Sequence, residues 1–260
     1  MISSEDRDIS RDDRAVSEVL GFAMVFFVVI AAVGVLYLTG FGAMADYQEA
    51  ERSANVDFAM DALAENFNDV LKSDGVFQRS GEINPRGGLI DSTENGPIEE
   101  IWIDDEEVLE DHLNQSGQDG IGAFRYTDDD ATSVYQGGGV FKSGPGGEVV
   151  IREPPVRCLE DETAVISIAT VYGTDGTISA DGNREISAEM RGTTTVEMGS
   201  EIVIRLNDQA DFFDAWETAL ENRGFTEENG GWSCGEFDES SENDEKNIVL
   251  RLTTLEISYD

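Results

Sequence analysis

The sequence predicts an α+β protein, in which a long N-terminal hydrophobic helix precedes a β-rich domain with one late helix. The first observation is an uncharged apolar run from Val19 to Ala45. The second is a change beyond Gly75, where the apolar period falls from about 3.6 residues to 2. The third is a single return of the helical pattern between Asn207 and Gly224. Many short strands separated by turns favour a sandwich or a partly closed barrel.

The apolar run is long enough to cross a membrane. A helix from Val19 to Ala45 is roughly 40 Å long at about 1.5 Å per residue, whereas the hydrocarbon core of a bilayer is ~30 Å thick. It is also about twice as long as the apolar core of a secretory signal. We therefore expect a single-pass anchor with the lipid bilayer as its partner.

An amphipathic helical pattern continues this run. Its apolar residues recur at steps of three and four, which puts them on one stripe of a helix, and Asp74-Gly75 supplies a stop. We expect the stripe to pack on the chain's own domain. The stripe consists of Val56, Met60, Leu63, Phe67, Val70 and Leu71, while the acids Asp57, Asp61, Glu65 and Asp69 fall on other faces.

The β-rich part is predicted from alternating apolar residues between turn signals. Gly137-Gly138-Gly139 indicates a tight hairpin. Asn207 or Asp208 is expected to cap the late helix, and Gly224 to end it. Strands are expected at 76–78, 98–103, 123–127, 133–135, 139–141, 149–151, 164–172, 186–190, 193–198, 201–206 and 247–259.

The composition is strongly acidic. The net charge is −38, and of the 17 basic residues only Lys72, Lys142 and Lys246 are lysines. This balance argues against nucleic acid as a partner, because phosphate binding needs clustered Lys and Arg. A folded acidic surface suits concentrated salt, where screening shortens its self-repulsion to roughly 3 Å. The lysine-poor composition resembles that of haloarchaeal proteins.

The junction between the leader and the apolar run resembles that of archaeal type IV pilins. The stretch that carries the resemblance is Arg14-Ala15-Val16-Ser17-Glu18-Val19-Leu20-Gly21-Phe22. The resemblance implies a class III signal peptide that a prepilin peptidase cuts after Ala15, which leaves Val16 as the new N-terminus. Glu18 stands where the family usually has proline. The implied divisions are a leader at 1–15, a pilin-like helix at 16–75, a β-rich domain at 76–206, and a C-terminal helix and strand at 207–260.

The β-rich part has a looser resemblance to haloarchaeal membrane-anchored pilin-like proteins, whose function is generally unassigned. It is carried by Tyr135-Gln136-Gly137-Gly138-Gly139-Val140-Phe141, by Arg152-Glu153-Pro154-Pro155 and by Phe213-Asp214-Ala215-Trp216. It implies an extracytoplasmic β-rich domain and no activity.

The charges that flank the helix set the expected orientation. Arg7, Arg11 and Arg14 precede the helix, and basic flanks stay in the cytoplasm. The bulk of the chain is therefore expected outside the cell. There Cys158 and Cys234 could form a disulfide, although the sequence cannot give their distance and leaves their pairing open.

Residues that could carry chemistry are few. The sequence lacks a nucleophile elbow and a Walker-type loop, and its single histidine, His112, lies in an acidic segment that we expect to be exposed. We expect no catalytic, cofactor or metal site, and we interpret Asp128-Asp129-Asp130 and the pair Asp175 and Asp181 as solvated turns rather than cation ligands. Asn114-Gln115-Ser116 is a sequon in a predicted polar loop where a glycan could be attached.

These observations together predict a pilin-like, membrane-anchored surface protein of a halophile without enzymatic activity. It would be a major or minor subunit of a type IV pilus-like filament, with copies of itself or other pilins as partners. Assembly would use the N-terminal helix, where Glu18 could pair with a neighbour's new N-terminus and where Gly21, Ala31 and Gly34 allow close approach. The alternative is a permanently anchored binding or adhesion module that does not polymerise.

Overall fold

The computed structural model describes residues 9–73, 75–85, 87–128, 131–159, 163–173, 176–197, 199–235 and 248–259, with side chains omitted at 9–16, 40–43, 45, 46, 49 and 50. It confirms the α+β class, with a long N-terminal helix, a β-rich domain and one late helix. The helices are α1 (Ile9–Lys72), α2 (Leu109–Ser116) and α3 (Phe213–Asn222).

Sixteen strands are found among the described residues. In chain order they are β1 (Gln78–Ile83), β2 (Leu89–Thr93), β3 (Ile98–Ile103), β4 (Glu106–Glu107), β5 (Ala123–Thr127), β6 (Thr132–Gln136), β7 (Gly139–Gly144), β8 (Gly147–Arg152), β9 (Val156–Cys158), β10 (Ala164–Gly173), β11 (Ile178–Ser179), β12 (Arg184–Val196), β13 (Ile202–Leu206), β14 (Thr226–Glu228), β15 (Gly231–Cys234) and β16 (Ile248–Tyr259).

The strands form three sheets. The first has the order β1-β12-β16-β10-β9, the second β11-β2-β5-β6-β7-β8, and the third β14-β15-β13-β3-β4. Every pairing is antiparallel except that of β10 with β16, which runs parallel from Ala164 opposite Ile248 to Gly173 opposite Ile257. These two long strands form the centre of the first sheet.

The chain divides into two compact units, one up to Ser53 and one from Ala54 onward. The described part of the first unit, from Ile9 onward, is the N-terminal part of α1. The second unit contains the rest of α1, all the strands, and the C-terminal helix and strand. The amphipathic part of α1 is therefore an integral element of the folded domain.

The domain has two hydrophobic cores. The first surrounds the C-terminal part of α1 and is lined by the first and second sheets, for example by Ile186, Ile257 and Phe124. The second lies between the third sheet and α3, and includes Ile204 and Trp216. The beginning of both β10 and β16 packs in the second core and the end of both strands in the first, so these strands connect the two cores.

Several strands agree closely with the sequence prediction, and others differ for local reasons. The strands at 98–103 and 123–127 match β3 and β5. The two strands expected at 186–190 and 193–198 are one strand, β12, with a bulge between Met190 and Gly192. Gly137 and Gly138 form the expected tight hairpin between β6 and β7, and both have a positive φ, of 58° and 91°, that favours glycine.

The predicted cap of the late helix was wrong. The helix begins at Phe213, beyond Asn207 and Asp208. Its N-cap residue, Phe212, has a left-handed φ of 68° and makes no side-chain cap hydrogen bond. The backbone N–H groups of Phe212 and Ala215 instead donate to the carboxylate of Glu148 in β8, at 2.9 and 3.1 Å. The capping group thus comes from another element. Gly224 follows the helix, as expected.

Candidate functional site

The apolar part of α1 is the candidate functional surface. Its 23 residues from Ser17 to Thr39 are long and apolar enough to cross a membrane, and none of them is buried within the chain. At about 1.5 Å per residue this segment is roughly 34 Å long, slightly more than a ~30 Å hydrocarbon core. An exposed apolar surface of this size is compatible with contact with lipid or with another protein.

The predicted assembly residues lie within this segment. Glu18, Gly21, Ala31 and Gly34 are all exposed, and a methyl group added at Gly21 or Gly34 would meet nothing within 4 Å. At about 100° per residue the three small residues fall within about 140° of arc, so they share one half of the helix surface. Leucine at these positions therefore fits within the isolated chain, and any penalty would arise from a neighbour.

The predicted cleavage position is described only in its backbone. Arg14, Ala15 and Val16 lie within α1, and their side chains lie outside the described set, as do residues 1–8 of the leader. Processing at this position therefore stays a prediction.

The C-terminal part of α1 is held by the domain. All six residues of the predicted stripe are buried, from Val56 to Leu71, which confirms its packing role. Phe67 makes an edge-to-face contact with Tyr135 of β6, with ring centroids 5.3 Å apart. Burial of a large apolar side chain contributes about 1.5–3 kcal/mol, so this stripe alone fixes the helix firmly.

A buried polar side chain adds specificity to this packing. Asn68 is 3% exposed and lies beside the β6–β7 hairpin. Its amide nitrogen donates to the Gly138 carbonyl at 2.8 Å, and its amide oxygen accepts from the Tyr135 hydroxyl at 3.1 Å. Because both hydrogen bonds of this buried amide need the right geometry, they favour one orientation of α1 about its axis against the second sheet. This role of Asn68 could not be predicted from the sequence, because the residue only adjoins the apolar stripe.

The acidic residues of α1 face cations on the strands. Asp57 pairs with Lys142 of β7 at 2.8 Å and Asp61 with Arg152 of β8 at 2.6 Å. Glu65 lies 3.8 Å from the same Arg152. Acids four residues apart lie on the same side of a helix. Their ion pairs with β7 and β8 therefore form a row along α1 that adds to the packing of the apolar stripe.

The two cysteines are joined. Cys158 of β9 and Cys234 of β15 form a disulfide with their Cα atoms 5.7 Å apart, which ties the edge of the first sheet to the third sheet. The sequence had left this pairing open. Bonded cysteines are typical of proteins in oxidising compartments.

The expectation that His112 is exposed was wrong. Its side chain is buried in α2, where Nδ1 lies 2.9 Å from the Thr194 hydroxyl and Nε2 lies 3.1 Å from that of Thr254 and 3.4 Å from that of Thr170. Burial lowers the pKa of His112. Its neighbours are hydroxyl groups rather than a carboxylate or a nucleophile with a base, and the arrangement fastens α2 to the first sheet.

The sequon lies in a helix rather than in a polar loop. Asn114 is exposed near the end of α2, and the hydroxyl of Ser116 donates to the carbonyls of His112 and Leu113 at 3.1 Å. The short helix was missed because its N-terminus is capped by Glu107, whose carboxylate accepts from the N–H groups of Leu109 and Glu110.

The carboxylate turns are described only in part. Asp129, Asp130 and Asp175 lie outside the described residues. Within the part of the chain that the structure describes, no group of three or more His, Cys, Asp and Glu side chains is arranged to hold a metal ion.

Comparison with known proteins identifies one family. Residues 14–256 match a family described as a family of unknown function, DUF7289. The match covers the apolar part of α1 and the domain together. Among curated proteins and among solved structures, none matches the chain significantly.

Proposed function

The chain belongs to the DUF7289 family, whose function is not established, and from this premise we propose that it is a pilin-like surface protein. Its N-terminal helix anchors it in the membrane and packs against other copies in a filament. Its acidic domain faces the external medium and works without catalysis. The proposed setting is a halophile.

One observation carries this proposal. A single helix, α1, has an exposed apolar segment from Ser17 to Thr39 and a buried stripe from Val56 to Leu71. Pilin-like assembly needs such a helix, because one part must be free to pack against neighbouring helices while the other is fixed in a folded domain. The family match includes both parts, which supports their belonging to one functional unit.

Three further observations support the proposed location and setting. The Cys158–Cys234 disulfide suits an oxidising compartment, and the basic residues before the apolar segment of α1 favour a cytoplasmic N-terminus. The net charge of −38 suits a domain exposed to concentrated salt.

The experiment replaces Gly21, Ala31 and Gly34 by leucine and follows the protein in its native host. The expected result is normal retention in the membrane, because leucine suits lipid, together with a strong reduction of the protein in sheared extracellular filaments. Loss of close helix approach is the reason for the reduction.

The matched control replaces Val25, Val28 and Val33 of the same segment by leucine. This variant adds a methylene group at three exposed positions and leaves the small residues intact. It should assemble nearly normally. Absence of the wild-type protein from the sheared fraction would contradict assembly and favour the permanently anchored binding module.

A further inference from the structure

A polar groove of about 700 Å³ lies within the folded domain, beside the outermost strand of the second sheet. Its walls are the end of α1, the strand β8 and one side of α3, represented by Lys72, Val149 and Thr218. The groove contains no residue of the apolar segment. It is therefore a surface separate from the proposed membrane anchor.

The strand in this groove has a free edge. β8 pairs with β7 on one side and ends the second sheet. Among the described residues, no other backbone hydrogen bond reaches β8. Val149 is 52% exposed on this strand. A free edge flanked by two helices accepts an extended segment as an additional strand, because its backbone groups remain available for pairing.

The groove is also unusually basic for this chain. Three of the 17 basic residues line it, namely Lys72, Arg152 and Arg223, against two of the 55 acidic residues, Glu148 and Glu153. Arg152 pairs with Asp61 and Arg223 with Glu153 at 2.7 Å, while Lys72 has no ion pair among the described residues. In a chain with a net charge of −38, this local cluster favours an acidic occupant.

The chain itself offers a matching segment. β14 is the outermost strand of the third sheet, and its three residues, Thr226, Glu227 and Glu228, are all exposed. The other acidic edge strand, β4, is already engaged, because its Glu107 caps α2. β14 is thus the free acidic edge within the described part of the chain.

The electrostatics around β14 favour a cationic partner. Burial raises the pKa of Glu217 in α3, and the neighbouring charges of Glu227, Asp214 and Glu221 raise it further. Like charges crowded in this way are relieved when a cation approaches.

We propose that β14 of one copy pairs with the free edge of β8 in the next copy, so that Glu227 meets Lys72 in the groove. This contact joins two unlike surfaces and is heterologous, which generates rings or open filaments. The inference rests on the proposed function in assembly, to which it adds a second contact made by the folded domains.

The test uses two differently tagged full-length chains that are co-expressed in native membranes. One carries Val149→Cys and the other Glu228→Cys, and a short bis-maleimide then joins thiols that lie close together. The expected product carries both tags. The matched control replaces Val149→Cys by Val165→Cys, at a comparably exposed valine of the first sheet, and should give little product.

A charge exchange shows whether the acidic residues guide the contact. Lys72→Glu in the first chain should lower the yield of the two-tag product about two- to fivefold, the range for one partly exposed ion pair. Glu227→Lys in the second chain should restore the yield. Lys72 is exposed, so these changes leave the cores intact.

A yield equal to that of the Val165→Cys control would overturn the proposal, as would attachment of the Val149→Cys chain to a different protein. If the yield of the two-tag product does not change with the charge exchange, Lys72 does not guide the contact. The two proposals fail separately: filaments without the two-tag product refute this contact alone, and the product without filaments refutes the filament function.

Discussion

At the scale of single residues, burial determines what the polar side chains of this protein can do. His112 and Asn68 are each 3% exposed, and both have hydrogen-bonding partners on elements distant in the sequence. Neither role could be predicted from the sequence. An acidic surrounding suggested that His112 is exposed, whereas the fold places hydroxyl groups of β10, β12 and β16 around it. Local composition does not reveal the hydrogen-bonding partners of His112, which lie 58 to 142 residues away in the sequence.

The buried histidine predicts a pH dependence of stability. Burial lowers the pKa of His112 in the folded protein below its ordinary value of about 6.5. Between the folded and the unfolded pKa the unfolded chain binds more protons, so the free energy of unfolding falls as the pH falls below about 6.5. Above a pH of about 6.5 the titration of His112 no longer lowers the free energy of unfolding. The slope has an upper limit of about 1.4 kcal/mol per pH unit.

Denaturant unfolding of the wild type and of His112→Gln across this pH range measures the contribution. The neighbours that face the imidazole from β10, β12 and β16 are Thr170, Thr194 and Thr254, which do not titrate, and the carboxylates Glu110 and Asp111 flank it on α2. The stability difference between the two proteins should therefore change with pH below about 6.5. Parallel curves would contradict the account.

At the scale of elements, the regular patterns were predictable and the capping interactions were not. The stripe of α1 and the strands β3 and β5 follow simple periodicities over several residues, so the sequence alone locates them. The short helix α2 and the start of α3 depend on carboxylates that cap them. Glu148 precedes the Phe212 N–H that it accepts from by 64 residues. A short stretch of sequence therefore never contains both residues.

The cap of α3 predicts a specific loss of stability. Glu148→Ala removes the carboxylate that accepts from the N–H groups of Phe212 and Ala215. This carboxylate also compensates the partial positive charge at the N-terminus of α3. The expected loss is about 0.5–2 kcal/mol, the range for a helix N-cap. The midpoint of urea unfolding measures it.

Glu185→Ala is the matched control. Glu185 is an exposed residue of β12 with no side-chain hydrogen bond among the described contacts, so its removal should change stability by less than about 0.5 kcal/mol. Equal effects of the two substitutions would show that the carboxylate of Glu148 does not stabilise α3.

At the scale of the whole molecule, the net charge and the length of the apolar segment could be predicted from the sequence, whereas the three-sheet architecture could not. Long-range pairings such as β10 with β16 and β1 with β12 join segments far apart in the chain. Alternation predicts that a strand exists but does not specify its partner. The disulfide likewise required the fold, which brings together Cys158 and Cys234 across a separation of 76 residues.

The net charge predicts a salt dependence of stability. With 55 acidic and 17 basic residues, the folded state experiences self-repulsion that salt screens to a range of roughly 3 Å at 1 M. The melting temperature, followed by circular dichroism, should rise from low to multimolar KCl. A melting temperature that is independent of salt would count against adaptation to high salt.

The mass of the N-terminal peptide of the protein, purified from the membranes of its native host, decides whether the chain is processed as a pilin-like protein. Pilin-like processing requires a cut between Ala15 and Val16, immediately before the apolar segment of α1. We expect the mature chain to begin at Val16, and we expect the replacement of Ala15 by a bulky acid to leave the leader attached. A mature chain that retains Met1 would contradict the pilin-like function and would indicate a permanent membrane anchor.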